Sequence, residues 1–328
     1  AHRHALPRFR WQLCSMTSTA LASAGGSSLP APLGFIDHLF APDTTDVVLN
    51  SAPIALSRVN GAWQSHPSPF GTGGELENWM IDLFEQQGVS LNFRRPMATM
   101  VKEGFRYHGV LPHGVSNQTQ LVIRRLHRGE PAPVEFWQGD NLRRFRILAE
   151  AMRGGSSVLV VGAAGAGKTT LLRQLLLQLS QFRLITIEDT PELGVVGDNV
   201  VSLVARDANQ DGLGQISMAD LLTEALRMSP DRIAVGEVRS VELAVMLEAL
   251  NTGQAGGGAT MHANSVRDLT SRLESIGLRA GVPLGSLIRQ VESAISLVAF
   301  VQRSKGYEIA ALAKPRVSAS GLEFIRVD

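Results

Sequence analysis

Apolar and polar positions change rhythm near residue 142. Beyond it, short apolar runs alternate with segments of helical spacing. The runs are SVLVVG (157–162), RLITIE (183–188), VVSLVA (200–205), DRIAVGE (231–237) and GATMHA (258–263). Between them lie helical patterns over 168–181, 217–228, 241–253 and 265–277, with Gly253 and Gly277 as closing residues. Near-continuous apolar strands separated by helices predict βαβ units and a mainly parallel sheet buried on both faces. Ser217 followed by Asp220 resembles a capping box at the start of the second of these helices. The last apolar segments, 295–303, 307–313 and 322–328, read as an antiparallel closing set.

Upstream the pattern is shorter and more interrupted. Residues 45–50, 54–59, 104–112 and 119–126 are strand-like, Asn60-Gly61 signals a tight turn, and 77–88 has helical spacing ending at Gly88. The expected fold class is therefore α/β: a small α+β N-terminal domain over 33–134, a linker over 135–145 that follows Pro131 and Pro133, and a parallel-sheet domain over 146–328. Residues 1–32, rich in Ser, Ala, Gly and Pro, read as a flexible tail.

Composition narrows the function classes. At 328 residues and 44% hydrophobic, the chain has apolar material for two cores. A formal net charge of +1 argues against a direct nucleic-acid ligand, which needs a basic surface. The single cysteine, Cys14, excludes a disulfide framework and any Cys-based metal centre. No apolar run is long enough for a transmembrane helix, and the first residues lack the apolar region of a signal peptide. Of 31 basic residues only four are lysines, so a lysine in a distinctive context stands out.

Lys168 is such a lysine. Gly162-Ala163-Ala164-Gly165-Ala166-Gly167-Lys168-Thr169 fits the phosphate-loop pattern G-x-x-x-x-G-K-[ST], with Thr170 next. About 0.005 matches are expected by chance in a chain of this composition. An apolar strand enters the loop and a helix leaves it, as the mechanism requires. Glycine torsions turn successive N–H groups onto a phosphate, and the helix N-terminus adds its positive dipole end. Lys168 would reach the β and γ phosphates of ATP, and the Thr169 hydroxyl would hold Mg²⁺.

Three further polar groups, Glu188, Glu237 and His262, sit where apolar strands end. In a doubly wound sheet the strands' carboxyl ends border the ligand, so all three converge on the loop's edge. Glu237 could join the Mg²⁺ shell or polarise a water, with Gly236 where many ATPases carry Asp; Glu188 is a second carboxylate for that water. His262 could sense a γ-phosphate, with the glycine-rich stretch TGQAGGG (252–258) bending around it.

Taken together, GAAGAGKTT (162–170), LITIEDTPEL (184–193), ALRMSPDRIAVGEVRS (225–240) and NTGQAGGGATMHANS (251–265) resemble the type II/IV secretion ATPases, especially the CpaF-type branch serving tight-adherence (Flp) pili. In that family these are the Walker A loop, the Asp box, an atypical Walker B and the His box. The resemblance implies a RecA-like P-loop NTPase domain in a cytoplasmic homo-hexamer at the membrane's cytoplasmic face. It also implies an inner-membrane platform protein as partner. It makes Glu188 the Asp-box glutamate that activates water, Glu237 the Walker B glutamate and His262 the His-box histidine. It places nucleotide-directed arginines of the N-terminal domain at Arg106 and Arg124, with Arg125 a neighbour of the latter, and subunit-interface roles at Arg206 and Arg239. Gln254 stands where the family carries histidine. Two other classes are a nucleic-acid-dependent P-loop translocase and a nucleotide-gated scaffold with little turnover.

Overall fold

The computed structural model describes residues 31–41, 43–51, 53–126, 137–208, 212–251, 256–304 and 306–328. Cys14 and Gln254, with most of the proposed tail and the first two residues of the proposed linker, lie outside them.

The first unit is a six-stranded antiparallel sheet in the order β3-β2-β1-β6-β5-β4. Its strands are β1 (Thr44–Asn50), β2 (Ile54–Val59), β3 (Ala62–Pro67), β4 (Met97–Lys102), β5 (Phe105–Val110) and β6 (Gln120–Arg125). Helices α1 (Ala31–Leu39) and α2 (Gly73–Glu85) cover one face. Alternate strand residues supply the core: Val47 and Leu49, Leu121 and Ile123, Ala98 and Met100 meet Leu76, Met80 and Phe84 of α2. The opposite residues stand on the open face. α2 starts where Thr72 accepts the Glu75 N–H at 3.2 Å and Glu75 accepts the Gly71 N–H at 2.8 Å, which orders its first turn.

α3 (Asp140–Arg153) leads into the second unit and begins inside the stretch expected to be a linker. Its buried residues Phe145, Leu148, Ala149 and Met152 follow helical spacing, and Asn141 Oδ1 accepts the Ile309 N–H at 2.9 Å. The eight-stranded sheet has the order β14-β13-β12-β7-β11-β10-β8-β9. The elements run β7 (Val158–Gly162), α4 (Lys168–Leu176), β8 (Leu184–Glu188), β9 (Val200–Val204), α5 (Met218–Leu226), β10 (Arg232–Val238), α6 (Glu242–Asn251) and β11 (Gly258–His262). They continue with α7 (Val266–Arg279), α8 (Leu284–Ala294), β12 (Leu297–Arg303), β13 (Tyr307–Ser318) and β14 (Gly321–Arg326). β7 to β12 pair in parallel, and β13 and β14 add antiparallel at one edge.

Two cores explain why β7 is apolar at every position. Val158 and Val160 pack with α3 and α4 on one face, while Leu159 and Val161 pack with α5 to α8 on the other. The expected capping box is present: Asp220 N–H donates to Ser217 Oγ at 3.2 Å, and Ser217 N–H donates to Asp220 Oδ2 at 2.9 Å. Gly277 does not close α7 but lies inside it. A side chain there would collide with Leu287 of α8, with a Cβ only 2.4 Å from Leu287 Cδ2, so glycine serves helix packing. None of the described helices is long and apolar enough to cross a membrane.

Candidate active site

The phosphate-type loop joins β7 to α4, as expected from its sequence. Gly165 and Gly167 adopt φ of +72° and +93°, values that glycine reaches without strain. Gly162 is fixed by packing, because a Cβ there would lie 2.3 Å from the Val301 carbonyl oxygen of β12. Ala166 N–H donates to Ala163 O at 3.2 Å, tightening the turn, and Lys168 Nζ donates to the same carbonyl at 3.0 Å. Thr169 and Thr170 follow in the first turn of α4. Burial, helped by Arg239, lowers the Lys168 pKa against the opposing pull of Glu237 and Glu192.

Parallel pairing brings the other strand ends to this edge. Glu188 ends β8, Glu237 stands one residue before the end of β10, and His262 ends β11 directly beside Gly162 of β7. Glu188 is 3% exposed, and its Oε1 accepts the N–H groups of Glu192 and Leu193, each at 2.8 Å. It thereby pins the turn that follows β8. Burial raises its pKa despite those two donors.

Glu237 Oε2 accepts from Arg239 Nε at 2.9 Å and Nη2 at 2.6 Å, and Arg239 reaches Asp189 at 3.3 Å. Burial alone would depress the Arg239 pKa, but Glu237, Asp189 and Glu192 outweigh it and raise it. Glu242 accepts the backbone N–H groups of Arg239 and Ser240, fixing the turn from which Arg239 projects. Arg239 is thus an organiser of the carboxylate cluster within its own chain. Gly236, where an acidic residue was the alternative, has a steric reason: a Cβ there would sit 2.9 Å from Glu188 Cγ.

One sequence expectation is overturned. The glycines at 256–258 lie at the start of β11, opposite the phosphate loop, because α6 carries the chain back across the sheet before β11 begins. They permit close packing there. Added Cβ atoms would lie 2.5 Å from Arg232 Nε at Gly256, 2.3 Å from Ile233 O at Gly257 and 2.6 Å from Leu172 Cδ1 at Gly258. The described glycines therefore cannot wrap a γ-phosphate, whereas His262, five positions along the strand, is at the loop's edge.

A cleft of about 1060 Å³ separates the open face of the six-stranded sheet from the edge carrying Asp189 and Thr190. Arg106 and His108 line it from β5, and Arg206 and Asp207 line it from the segment after β9. His108 Nδ1 is 2.8 Å from Thr99 Oγ1, and its pKa is lowered by burial and by Arg106. Arg124 is Arg106's cross-strand neighbour but is not among the lining residues; its Nε donates to Asp46 Oδ1 at 2.7 Å. Arg125 donates to Phe40 O at 2.7 Å and lies over the Phe40 and Phe105 rings. Arg206 Nε donates to Gly214 O at 2.8 Å, holding its own loop.

Sequence reasoning missed Arg95, whose Nη1 donates to Ala208 O at 2.5 Å and whose Nη2 lies 3.3 Å from Asp207. It ties the two units across the cleft. No motif surrounds it, and only the fold places it.

Among the described residues no group of three or more His, Cys, Asp or Glu is arranged to hold a metal by itself. The donors beside the loop, a Thr169 hydroxyl and a Glu237 carboxylate, suit Mg²⁺ that takes most of its remaining ligands from phosphates and water.

Comparison with known proteins matches this architecture. The family described as "Type II/IV secretion system protein" matches residues 102–304. Protein VirB11 of Agrobacterium fabrum is 32% identical over 299 residues, covering 80% of this chain and 86% of that protein. A Mycobacterium tuberculosis protein named for conjugal transfer is 37% identical over 203 residues. That match covers 61% of this chain and 58% of the relative, so the chain spans about three-fifths of such relatives. Among solved structures, the pilus retraction motor PilT with bound ADP superimposes with a TM-score of 0.59 at 21% identity, covering 90% of this chain and 83% of that one. The Legionella pneumophila ATPase DotB gives 0.54 at 17% identity, covering 93% and 81%. At those identities the likeness concerns the fold, a RecA-like P-loop domain behind an α+β unit. The phosphate loop, the strand-end carboxylates and the family match over most of the chain lead to one assignment: this chain belongs to the type II/IV secretion system protein family.

Proposed function

We propose that the chain is an ATP-hydrolysing motor that powers assembly of a tight-adherence (Flp-type) pilus or a related type II/IV secretion process. The observation that carries this reading is the convergence of Lys168, Glu188, Glu237 and His262 on one sheet edge, next to a cleft lined by Arg106. The tight-adherence branch rests on the motif wording quoted above. The reading includes a homo-hexamer at the cytoplasmic face of a membrane, acting on a platform protein there.

In this mechanism the loop N–H groups between Ala163 and Thr170 seat the phosphates, and Lys168 neutralises charge on the β and γ groups. Thr169 and Glu237 would hold Mg²⁺, which supplies electrostatic stabilisation of the phosphates when bound. Glu237, paired with Arg239, takes the proton of the attacking water. Glu188 orients that water while anchoring the turn bearing Asp189. Arg106 is drawn across the cleft toward the γ-phosphate and stabilises the charge that develops in the transition state. His262 reports whether the γ-phosphate is present.

Steady-state ATP hydrolysis against protein concentration, with and without single-stranded and duplex DNA, tests the reading. Specific activity that rises with concentration and ignores DNA supports it. Stimulation by DNA would replace it with a nucleic-acid translocase, and tight ATP binding without turnover would replace it with a nucleotide-gated scaffold.

A further inference from the structure

The nucleotide's direction across the sheet follows from strand order. β7, which leads into the phosphate loop, lies between β11 and β12. The carboxylates stand on β10 and β8, beyond β11, so a bound triphosphate must point its reacting end to that side. Its other end, the base, then falls on the β12 side of the loop. Two side chains with suitable chemistry wait there at the same edge. Arg303 ends β12, Tyr307 begins β13, and the two are cross-strand partners. The Arg303 guanidinium lies over the Tyr307 ring, 5.2 Å from its centroid. Tyr307 in turn packs on the loop: a Cβ on Gly167 would be 2.7 Å from Tyr307 Cδ1. The ring is half-buried and Arg303 is exposed, so the guanidinium can be reached from solvent.

We propose that Tyr307 and Arg303 form the platform on which the purine base of the nucleotide stacks. The ring holds the guanidinium flat, and the guanidinium meets the base, an arrangement that serves aromatic recognition because both layers are planar and weakly hydrated. Stacking of this kind reads any purine face, so the platform favours purine over pyrimidine nucleotides and distinguishes adenine from guanine weakly. The contact with Gly167 adds a coupling: a base pressed on the platform also steadies the last glycine before Lys168. This inference rests on the ATP reading above but makes a separate claim about where the base lies.

The test is binding of ATP and of inorganic tripolyphosphate to the full chain, for wild type, Tyr307→Ala, Tyr307→Phe and Arg303→Ala. Tripolyphosphate occupies the loop without a base. The platform predicts that Tyr307→Ala weakens ATP on the order of tenfold, the scale of base–aromatic stacking, and leaves tripolyphosphate unchanged. Tyr307→Phe keeps ATP affinity, and Arg303→Ala weakens ATP more than tripolyphosphate. Equal weakening of both ligands by Tyr307→Ala would make the ring a support for the loop only and overturn the platform. Unchanged ATP affinity in that variant would overturn it as well. Wild-type protein that binds tripolyphosphate but not ATP would remove the base site. Wild-type protein that binds neither would defeat the ATP reading itself, and the platform with it.

Discussion

At the carboxyl edge of the eight-stranded sheet, polar groups arrive at strand ends. On the six-stranded sheet, Arg106, His108 and Arg124 stand in mid-strand on an open face. The first arrangement is nearly independent of side-chain conformation, because parallel register alone puts Gly162 beside His262 and ranks Glu188 and Glu237 next to them. The second depends on which neighbour each arginine finds. Arg106 and Arg124 are adjacent across β5 and β6, yet Arg106 faces the cleft while Arg124 is engaged by buried Asp46. A parallel edge thus concentrates chemistry by topology, whereas an open antiparallel face offers cations whose use is decided by local pairing.

The largest expected break in this comparison is Lys168→Ala. It removes the one cation of the phosphate loop, and nucleotide binding together with hydrolysis should be lost. In an equilibrium titration with a fluorescent ATP analogue, affinity near that of wild type would contradict the role.

Next comes Arg106→Ala. Arginines that reach a phosphoryl-transfer transition state are worth on the order of 10³–10⁵ in rate. Single-turnover hydrolysis should fall by that order with ATP affinity largely retained. A rate close to wild type would leave the six-stranded sheet without a catalytic arginine at this position.

Glu237→Gln and Glu188→Gln should each lower kcat by roughly 10²–10⁴, the range for a lost proton acceptor, while ATP still binds. They differ in stability and in pH response. Glu188 has a raised pKa in the fold, so its ionised form carries a burial penalty at neutral pH, and its contribution to stability is greatest below its unfolded pKa and is lost as pH rises through the folded value. Glu188→Gln keeps an oxygen for the Glu192 and Leu193 N–H groups without the charge, so its Tm at neutral pH should be no lower than that of wild type. Activity of the wild type should decline as pH falls through that raised pKa. A Tm well below wild type would show that the carboxylate charge itself stabilises the turn.

The smallest effect expected on activity is that of Arg124→Ala. Asp46 is left buried without its cation, at a cost of about 1–3 kcal/mol in unfolding free energy, with kcat unchanged. Urea denaturation read beside the hydrolysis assay separates the two. A large loss of kcat with normal stability would move Arg124 into the site.

Much of the larger sheet was legible before any coordinates. The parallel strands are largely apolar, most crossovers have helical spacing, and the loop motif fixes the ligand edge. What escaped was non-local. α3 starts behind prolines that read as linker, and its placement depends on Asn141 meeting Ile309, far along the chain. β3 is an edge strand exposed at almost every position, and so carries no alternation of buried and exposed residues. The glycines at 256–258 looked like a phosphate wrap because glycine signals both a tight anion nest and close packing; Arg232 and Ile233, which require them, are brought there by β10. Arg95 has no motif and gains meaning only from the loop at Asp207 across the cleft.

In the proposed motor ATP joins the two unlike faces, with the loop holding its phosphates and Arg106 reaching them from across the cleft. Small-angle scattering of the Glu237→Gln protein, with and without ATP, addresses this most directly, since bound nucleotide is not consumed. A more compact particle is expected with ATP, with loss of that compaction when Arg106→Ala is added. Identical profiles with and without bound ATP would contradict it.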